Sequence, residues 1–241
     1  MPVDPATLVV ALVITFIAAI VQGTIGIGLG LLSVPVLTLI DPVLTPVPQL
    51  IATLPMTMMM SGGEAHAIEW RAVGRVVAAR VPGIAIGIGL LAIADDHLLD
   101  GLIGASVLLA VIIIASGVTI HRNRTSELVA GVVSGATATI SSIGGPPLAL
   151  LYRRESGSAV RANLATIFFF GILMTVAARA FSGHVSSTDL WVSLWLAPVV
   201  VAGYLVARRL HAKMEGRALR ASILAVSALS GAGLLVRSLL S

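Results

Sequence analysis

Apolar residues fill long runs of this chain, and polar residues gather in the short stretches between them. The runs predict ten helices, at residues 6–22, 29–40, 44–61, 73–94, 98–119, 128–140, 144–152, 160–181, 188–207 and 218–238. A helix of about twenty apolar residues can cross the roughly 30 Å hydrocarbon core of a bilayer. The pattern therefore predicts an all-α polytopic membrane protein, in which 128–140 and 144–152 are too short to cross alone and 29–40 is marginal.

Two short segments rich in glycine and proline interrupt these runs. Residues 23–30 read Gly-Thr-Ile-Gly-Ile-Gly-Leu-Gly, with Pro35 after them, and residues 141–147 read Ser-Ser-Ile-Gly-Gly-Pro-Pro. Pro35 and Pro147 are 112 residues apart. Backbone that is not helical survives at membrane depth only where protein or a water-filled cavity satisfies its hydrogen bonds. A matched pair of interruptions, one in each half, points to the substrate site of a secondary transporter.

The interruptions divide the chain into two homologous halves, 1–125 and 126–241. Each half holds a broken, re-entrant-like helix pair followed by three transmembrane helices. Twelve of the fifteen Lys and Arg residues lie in four clusters, which the positive-inside rule assigns to the cytoplasmic side. The clusters are Arg71 and Arg75; Arg122 and Arg124; Arg153, Arg154 and Arg161; and Arg208, Arg209, Lys213, Arg217 and Arg220. Placing all four there predicts an inverted repeat, whereas reading each broken segment as one kinked crossing gives eight spans and a parallel repeat.

Composition narrows the class of protein further. Hydrophobic residues make up 57% of the 241 residues and charged residues 11%, and the mean hydropathy is +1.04. The net charge of +4 reflects the basic loops, and no charged run suggests a nucleic-acid partner. The absence of cysteine excludes disulfides, thiolate metal sites and cysteine nucleophiles. Glu64, His66 and Glu69 have too few suitably spaced ligands for a metal site, so we expect a solvated loop there and no cofactor or metal.

A helix that begins inside the membrane offers an anion its unpaired first-turn N–H groups and roughly half a positive charge from its aligned peptide dipoles. Two such half-helices meeting at the membrane centre would form a positively polarised pocket lined by hydroxyl groups. The predicted substrate-binding residues are Gln22, Gly23, Thr24, Gly28 and Gly30 in the first half, Thr137, Thr139, Ser141, Ser142, Gly144, Gly145 and Pro146 in the second, and Arg161 and Asn163 after the second break. Close helix packing is the alternative role of Gly26 and Gly30.

Two arginines allow two interpretations each. Arg161 either lines the pocket or anchors the cytoplasmic end of its helix. Arg80 either lies about 12 Å inside the membrane, counting 1.5 Å per residue, or precedes a span that begins later. Gln49 and Thr53 occupy the place in the first half that corresponds to the start of the span after the second break, and they too can line the pocket.

The interrupted segments resemble those of the sulfite exporter TauE/SafE family of bacterial membrane permeases. The resembling residues are Gly23-Thr-Ile-Gly-Ile-Gly-Leu-Gly with Pro35, Gly131-Val-Val-Ser-Gly, Gly144-Gly-Pro-Pro and the stretch from Arg161 to Phe169. The likeness covers nearly the whole chain and implies export of sulfite, sulfoacetate or another sulfur-containing or organic anion. The first half departs from the family pattern, because glycine alternates with other residues where relatives often have a phenylalanine and more consecutive glycines.

These observations predict a permease of the bacterial inner membrane that exports a small anion by alternating access at the paired breaks. The expected partners are an anionic substrate (sulfite, an organosulfonate or another organic acid) and the lipid bilayer. An anion channel on the same scaffold is the alternative function. An enzyme is not expected, because neither a nucleophile–base pair nor a set of metal ligands is visible at membrane depth. A homodimer is one assembly left open.

Overall fold

The computed structural model of the protein describes residues 3–152, 157–210 and 217–240. All regular structure within these residues is helical. The α-helices are α1 (Pro5–Ile25), α2 (Leu29–Ile40), α3 (Val47–Gly63), α4 (Trp70–Leu91), α5 (Asp96–Ala115), α6 (Arg124–Ser141), α7 (Gly145–Leu151), α8 (Ser158–Phe181), α9 (Ser187–Leu210) and α10 (Arg217–Leu240). Short 3-10 turns at Pro42–Leu44 and Ala65–Ala67 precede and follow α3.

Seven of the described helices are long and apolar enough to cross a membrane. They are α1, α3 together with the 3-10 turn before it, α4, α5, α8, α9 and α10. The remaining three are the apolar α2, with 12 residues, and α6 and α7, with 18 and 7 residues. The prediction of an all-α polytopic membrane protein is therefore confirmed.

Polar side chains fix where several helices begin. Asp95 Oδ1 accepts a hydrogen bond from Leu98 N–H at 2.8 Å at the start of α5. At the start of α6, Asn123 and Ser126 accept hydrogen bonds from each other's backbone N–H, each at 2.9 Å. Such caps satisfy first-turn N–H groups that have no partner within the helix. The cap at Asn123 explains why α6 begins four residues before the apolar run that predicted it.

Helices of residues 1–125 pack against helices of residues 126–241 in pairs that the predicted repeat would relate to each other. The broken-pair helix α1 packs on α9, and its counterpart α6 packs on α4, while α3 packs on α8 and α5 on α10. Glycine permits the close approach at two matched points: a Cβ on Gly87 would lie 2.6 Å from Thr139 Cβ, and one on Gly203 would lie 2.8 Å from Ala19 Cβ. The division into repeats 1–125 and 126–241 stays a prediction.

A network of ion pairs joins two of the predicted basic clusters. Glu127 is 2% exposed and pairs with Arg75 at 2.5 Å and with Arg122 at 3.1 Å. Arg122 also pairs with Glu69 at 2.7 Å, and its guanidinium carbon lies 4.7 Å from the centre of the Tyr152 ring. Three residues of the predicted clusters, Arg153, Arg154 and Lys213, lie outside the described residues.

Candidate functional site

Both helix breaks line one cavity of about 50 Å3 in the interior of the helix bundle. Seven predicted site residues line it, namely Gln22, Gly28, Gly30, Ser142, Gly144, Gly145 and Pro146. A cavity needs roughly 10–15 Å3 of this kind of space to hold one water molecule. The cavity therefore has room for several water-sized groups, which is the size of a small oxyanion.

The first break lies between α1 and α2 and depends on two glycines. Gly26 ends α1 with φ +90°, and Gly28 begins α2 with φ +132°, values that residues with a Cβ rarely adopt. Gln22 Oε1 accepts a hydrogen bond from Leu29 N–H at 3.1 Å and so caps α2 from within the chain. The next residue of that first turn, Gly30, lines the cavity, and an α-helix leaves the N–H at this position without an internal partner.

The second break lies between α6 and α7 and is held by two serines. Ser142 ends α6 in the left-handed region at φ +58°, and its Oγ donates to the Pro46 carbonyl at 2.7 Å. Ser134 lies two turns earlier on α6 and donates from Oγ to the Gly144 carbonyl at 2.7 Å. A Cβ on Gly144 would lie 2.9 Å from Ser134 Oγ, so glycine is needed for this approach.

The two breaks touch each other across the cavity. A Cβ on Gly30 would lie 2.6 Å from the Ser142 carbonyl oxygen, which is closer than real Cβ atoms come to another atom. On the other side of the contact, a Cβ on Gly145 would lie 3.2 Å from Ile27 Cγ2. The two breaks can approach this closely only because Gly30 and Gly145 have no side chain.

Arg80 supplies a full positive charge to the cavity wall. It lies ten residues into α4, about 15 Å from the start of the helix at 1.5 Å per residue, and is 1% exposed. Its Nη1 donates to Ser134 Oγ at 2.6 Å, and its buried Nε has no hydrogen-bond partner. No carboxylate of the described residues pairs with it. A lone arginine inside an apolar run was the signal in the sequence, and the contact with Ser134 places its side chain inside the helix bundle.

Gln49 and Thr53 also line the cavity, from α3. Both ends of the Gln49 amide are engaged, because Nε2 donates to Thr15 Oγ1 at 3.2 Å and Oε1 accepts from Ser33 Oγ at 3.2 Å. These bonds tie α1, α2 and α3 together beside the first break. Phe168 and Ile172 of α8 give the cavity an apolar wall, and neither was among the predicted site residues.

Five predicted site residues on α1 and α6 lie outside the cavity lining. A Cβ on Gly23 would lie 2.6 Å from Ala207 Cβ, so this glycine serves the contact between α1 and α9. The other four donate their hydroxyl hydrogen to a carbonyl of their own helix at 2.8–2.9 Å; they are Thr24, Thr137, Thr139 and Ser141. The rotation of each helix, which short motifs do not fix, decides which hydroxyls reach the cavity.

Arg161 and Asn163 lie at the start of α8 and also outside the lining. Arg161 pairs with Glu64 at 2.5 Å. Asn163 is fully buried, and its Oδ1 accepts from Glu69 N–H at 2.8 Å. Both residues therefore fasten the connection between α3 and α4 to α8. The carboxylates of Glu64 and Glu69, which the sequence set beside His66 as a metal-like cluster, are engaged by arginines.

Comparisons with known proteins give two similarities. A family model described as "Sulfite exporter TauE/SafE" matches residues 11–234. A protein of Cupriavidus necator named "Probable sulfite/organosulfonate exporter TauE" is 25% identical over 201 residues, which is 78% of this chain and 78% of that protein. No solved structure matches.

Proposed function

Because the chain belongs to the sulfite exporter TauE/SafE family, whose members are membrane transporters and not enzymes, we propose that it exports a small anion through the cavity between its two breaks. The observation that carries this proposal is the buried Arg80 in the wall of a cavity formed by both breaks. The relative from Cupriavidus necator is named for sulfite and organosulfonates, and these are the first substrates to test. The inner membrane of a bacterium is the proposed location.

The charge of the cavity wall favours an anion. The first turn of α2 presents N–H groups and the positive end of its peptide dipoles at Gly30. Arg80 adds a full charge, and the described lining contains no carboxylate to oppose it. In an apolar interior these groups act at low dielectric, so their attraction for an anion is stronger than at a surface. A bound anion would also neutralise a charge that is costly to bury alone.

The directions of the two broken pairs support an inverted repeat and alternating access. Gly26, at the end of α1, lies against Arg161 near the basic face, with a Cβ there 3.8 Å from Arg161 Cγ. Ser142, at the end of α6, instead bonds to Pro46 at the start of α3. These two contacts support broken helices that run in opposite directions to breaks that meet. In the second pair, the stacking of Arg122 on Tyr152 puts the start of α6 next to the end of α7, as a re-entrant hairpin requires.

Anion flux in proteoliposomes tests the proposal. Sulfite, sulfoacetate, sulfate and chloride are compared under an imposed membrane potential, with the wild type, Gly145→Val and the control Gly89→Val. Gly145 faces Ile27 across the cavity, whereas a Cβ on Gly89 would meet no atom within 4 Å. We expect the wild type to show saturable flux and counterflow. The flux should be lost in Gly145→Val and retained in Gly89→Val. Single-channel currents would favour the channel alternative, and no flux of any anion would overturn the proposal.

A further inference from the structure

Two arginines are buried in the described membrane-spanning helices, and they have different surroundings. Arg179 on α8 is 4% exposed, and its Nε donates to the Thr139 carbonyl at 2.9 Å. Arg80 on α4 is 1% exposed, lines the cavity and has no acceptor for its Nε–H. Arg179 is absent from the cavity lining. One buried arginine therefore bonds to the backbone of a neighbouring helix, and the other keeps a donor unused beside an internal space.

We infer that Arg80 is the anion-binding residue of this cavity and that it selects oxyanions carrying one full negative charge. The inference rests on the proposed function, because it names the charge class of the substrate at the same site. Arg80 is the one charged residue among the described residues that line the cavity. A monovalent oxyanion matches the single full charge of Arg80. A divalent one brings a second full charge, which only the partial positive charge at the start of α2 would offset in a low-dielectric interior, and this is unfavourable.

The shape of the guanidinium group favours an oxyanion over a spherical ion. Guanidinium presents a planar fork of N–H donors that matches two oxygens of a carboxylate, phosphate or sulfonate-like head. Ser134 Oγ accepts from Nη1 at 2.6 Å, and the buried Nε–H of Arg80 is a donor that no protein atom accepts. A sulfonate head presents two coplanar oxygens to such a fork, and chloride does not.

Ser134 and Gly171 position this fork. Ser134 is itself held, since its Oγ donates to the Gly144 carbonyl at 2.7 Å while it accepts from Arg80. On the opposite side, a Cβ on Gly171 of α8 would overlap Nε of Arg80 and lie 2.8 Å from Nη2. The guanidinium therefore lies in a slot between α6 and α8. Any side chain at residue 171 displaces it.

Thermal unfolding of the purified full-length protein in detergent measures binding without requiring transport. The midpoint temperature of unfolding is measured as a function of the concentration of methanesulfonate, a monovalent sulfonate, and of sulfate, a divalent oxyanion, at constant ionic strength. We expect methanesulfonate to raise the wild-type midpoint at lower concentration than sulfate does. Arg80→Gln should lower the affinity for methanesulfonate roughly 10- to 100-fold, which is the range expected for the loss of a hydrogen bond to a charged group. Arg179→Gln, the control for loss of a buried arginine, should bind methanesulfonate as the wild type does.

Two further variants keep the test decisive if Arg80→Gln does not fold. Arg80→Lys keeps the charge without the planar fork, and Gly171→Ala keeps Arg80 while filling its slot. Both should lose methanesulfonate affinity, whereas Gly89→Ala should not. Unchanged affinity in Gly171→Ala or Arg80→Lys overturns the inference. Equal affinity of the wild type for the two anions, or stabilisation by neither, also overturns it.

The outcomes separate this inference from the proposed function. Saturable flux that is equal in the wild type and in Arg80→Gln would remove Arg80 as the binding residue and leave anion export standing. The protein could instead bind methanesulfonate in an Arg80-dependent way and yet move no anion. That result would keep the binding site and overturn export.

Discussion

The first break is held by Gln22 and two glycines, whereas the second break is held by Ser134 and Ser142. Gln22 Oε1 accepts from Leu29 N–H, so it occupies a donor at the start of α2. Ser134 instead donates to the Gly144 carbonyl and accepts from Arg80. The same type of chain interruption is therefore built from different side chains, and only the hydrogen bonds of the second break include a charged group.

This difference separates two roles that a matched pair of breaks can have. The first break brings the first turn of α2 to the cavity, and the Gln22 side chain occupies one N–H of that turn. The second break connects the backbone of α7 to a buried arginine through a single hydroxyl. We therefore expect substitutions at the first break to act on folding and shape, and substitutions around Ser134 to act on the affinity for an anion as well.

The largest effect is expected where the two breaks touch. Gly30→Val puts a branched side chain against the Ser142 carbonyl, which a Cβ alone would approach to 2.6 Å. Overpacking of this kind costs typically 1–3 kcal/mol, and backbone cannot retreat as a side chain does, so transport should fall about 100-fold. The initial rate of anion flux in proteoliposomes measures this fall in transport, with Gly89→Val as the control. Wild-type flux in Gly30→Val would show that the breaks need not meet for transport.

A pair of alanine variants tests whether the two breaks have different roles. Ser134→Ala and Gln22→Ala each leave a buried backbone group without its partner, which costs about 1–3 kcal/mol. Both should therefore lower the thermal midpoint. Only Ser134→Ala should also weaken anion binding, by roughly 10-fold, because it releases Arg80. The thermal midpoint without ligand measures the loss of stability, and its rise with methanesulfonate concentration measures the loss of anion affinity. An equal loss of affinity in both variants would contradict the comparison.

Substitutions of the left-handed residues at the two breaks should change stability by different amounts. Gly26→Ala forces a Cβ into φ +90°, and we expect a loss of about 1 kcal/mol in stability. Ser142→Gly relieves the strain at φ +58° but removes the bond to the Pro46 carbonyl, so its net change should stay within about 0.5 kcal/mol. The midpoints of thermal unfolding of Gly26→Ala and Ser142→Gly, each against the wild type, measure these changes. A larger loss in Ser142→Gly than in Gly26→Ala would mean that the hydroxyl bond outweighs the strain.

The smallest effect is expected at Arg161, outside the cavity. Its side chain and that of Glu64 are each about a quarter exposed, so the pair should contribute less than about 1 kcal/mol. Arg161→Gln should lower stability slightly and leave anion selectivity unchanged. Flux of methanesulfonate relative to sulfate is the measurement. A change in that ratio would return Arg161 to the list of pocket residues.

The sequence predicted the helices better than it predicted the site. The apolar run 29–40 coincides with α2, and 144–152 contains α7, because glycine marks where both helices begin. Family membership, inferred from the same short motifs, is confirmed. The cavity lining was predicted only near the breaks, where glycine and proline leave a strong signal.

Helix rotation and distant partners explain what the sequence did not determine. Thr137 and Thr139 carry hydroxyls at the expected depth, but each donates to its own helix. Arg80 was ambiguous because its place depends on Ser134 and Gly171, more than fifty residues away along the chain. Short motifs record local backbone conformation, and they carry no information about which face of a helix meets the cavity.

Protection of an introduced cysteine tests most directly whether the anion occupies the cavity between the breaks. The chain has no cysteine of its own, so Thr53→Cys in the cavity wall and Ser116→Cys at the exposed end of α5 can each be labelled alone with a small thiol reagent. We predict that methanesulfonate slows labelling of Thr53→Cys and leaves Ser116→Cys unchanged. Labelling of Thr53→Cys at the same rate with and without the anion, in protein that still transports it, would contradict the account.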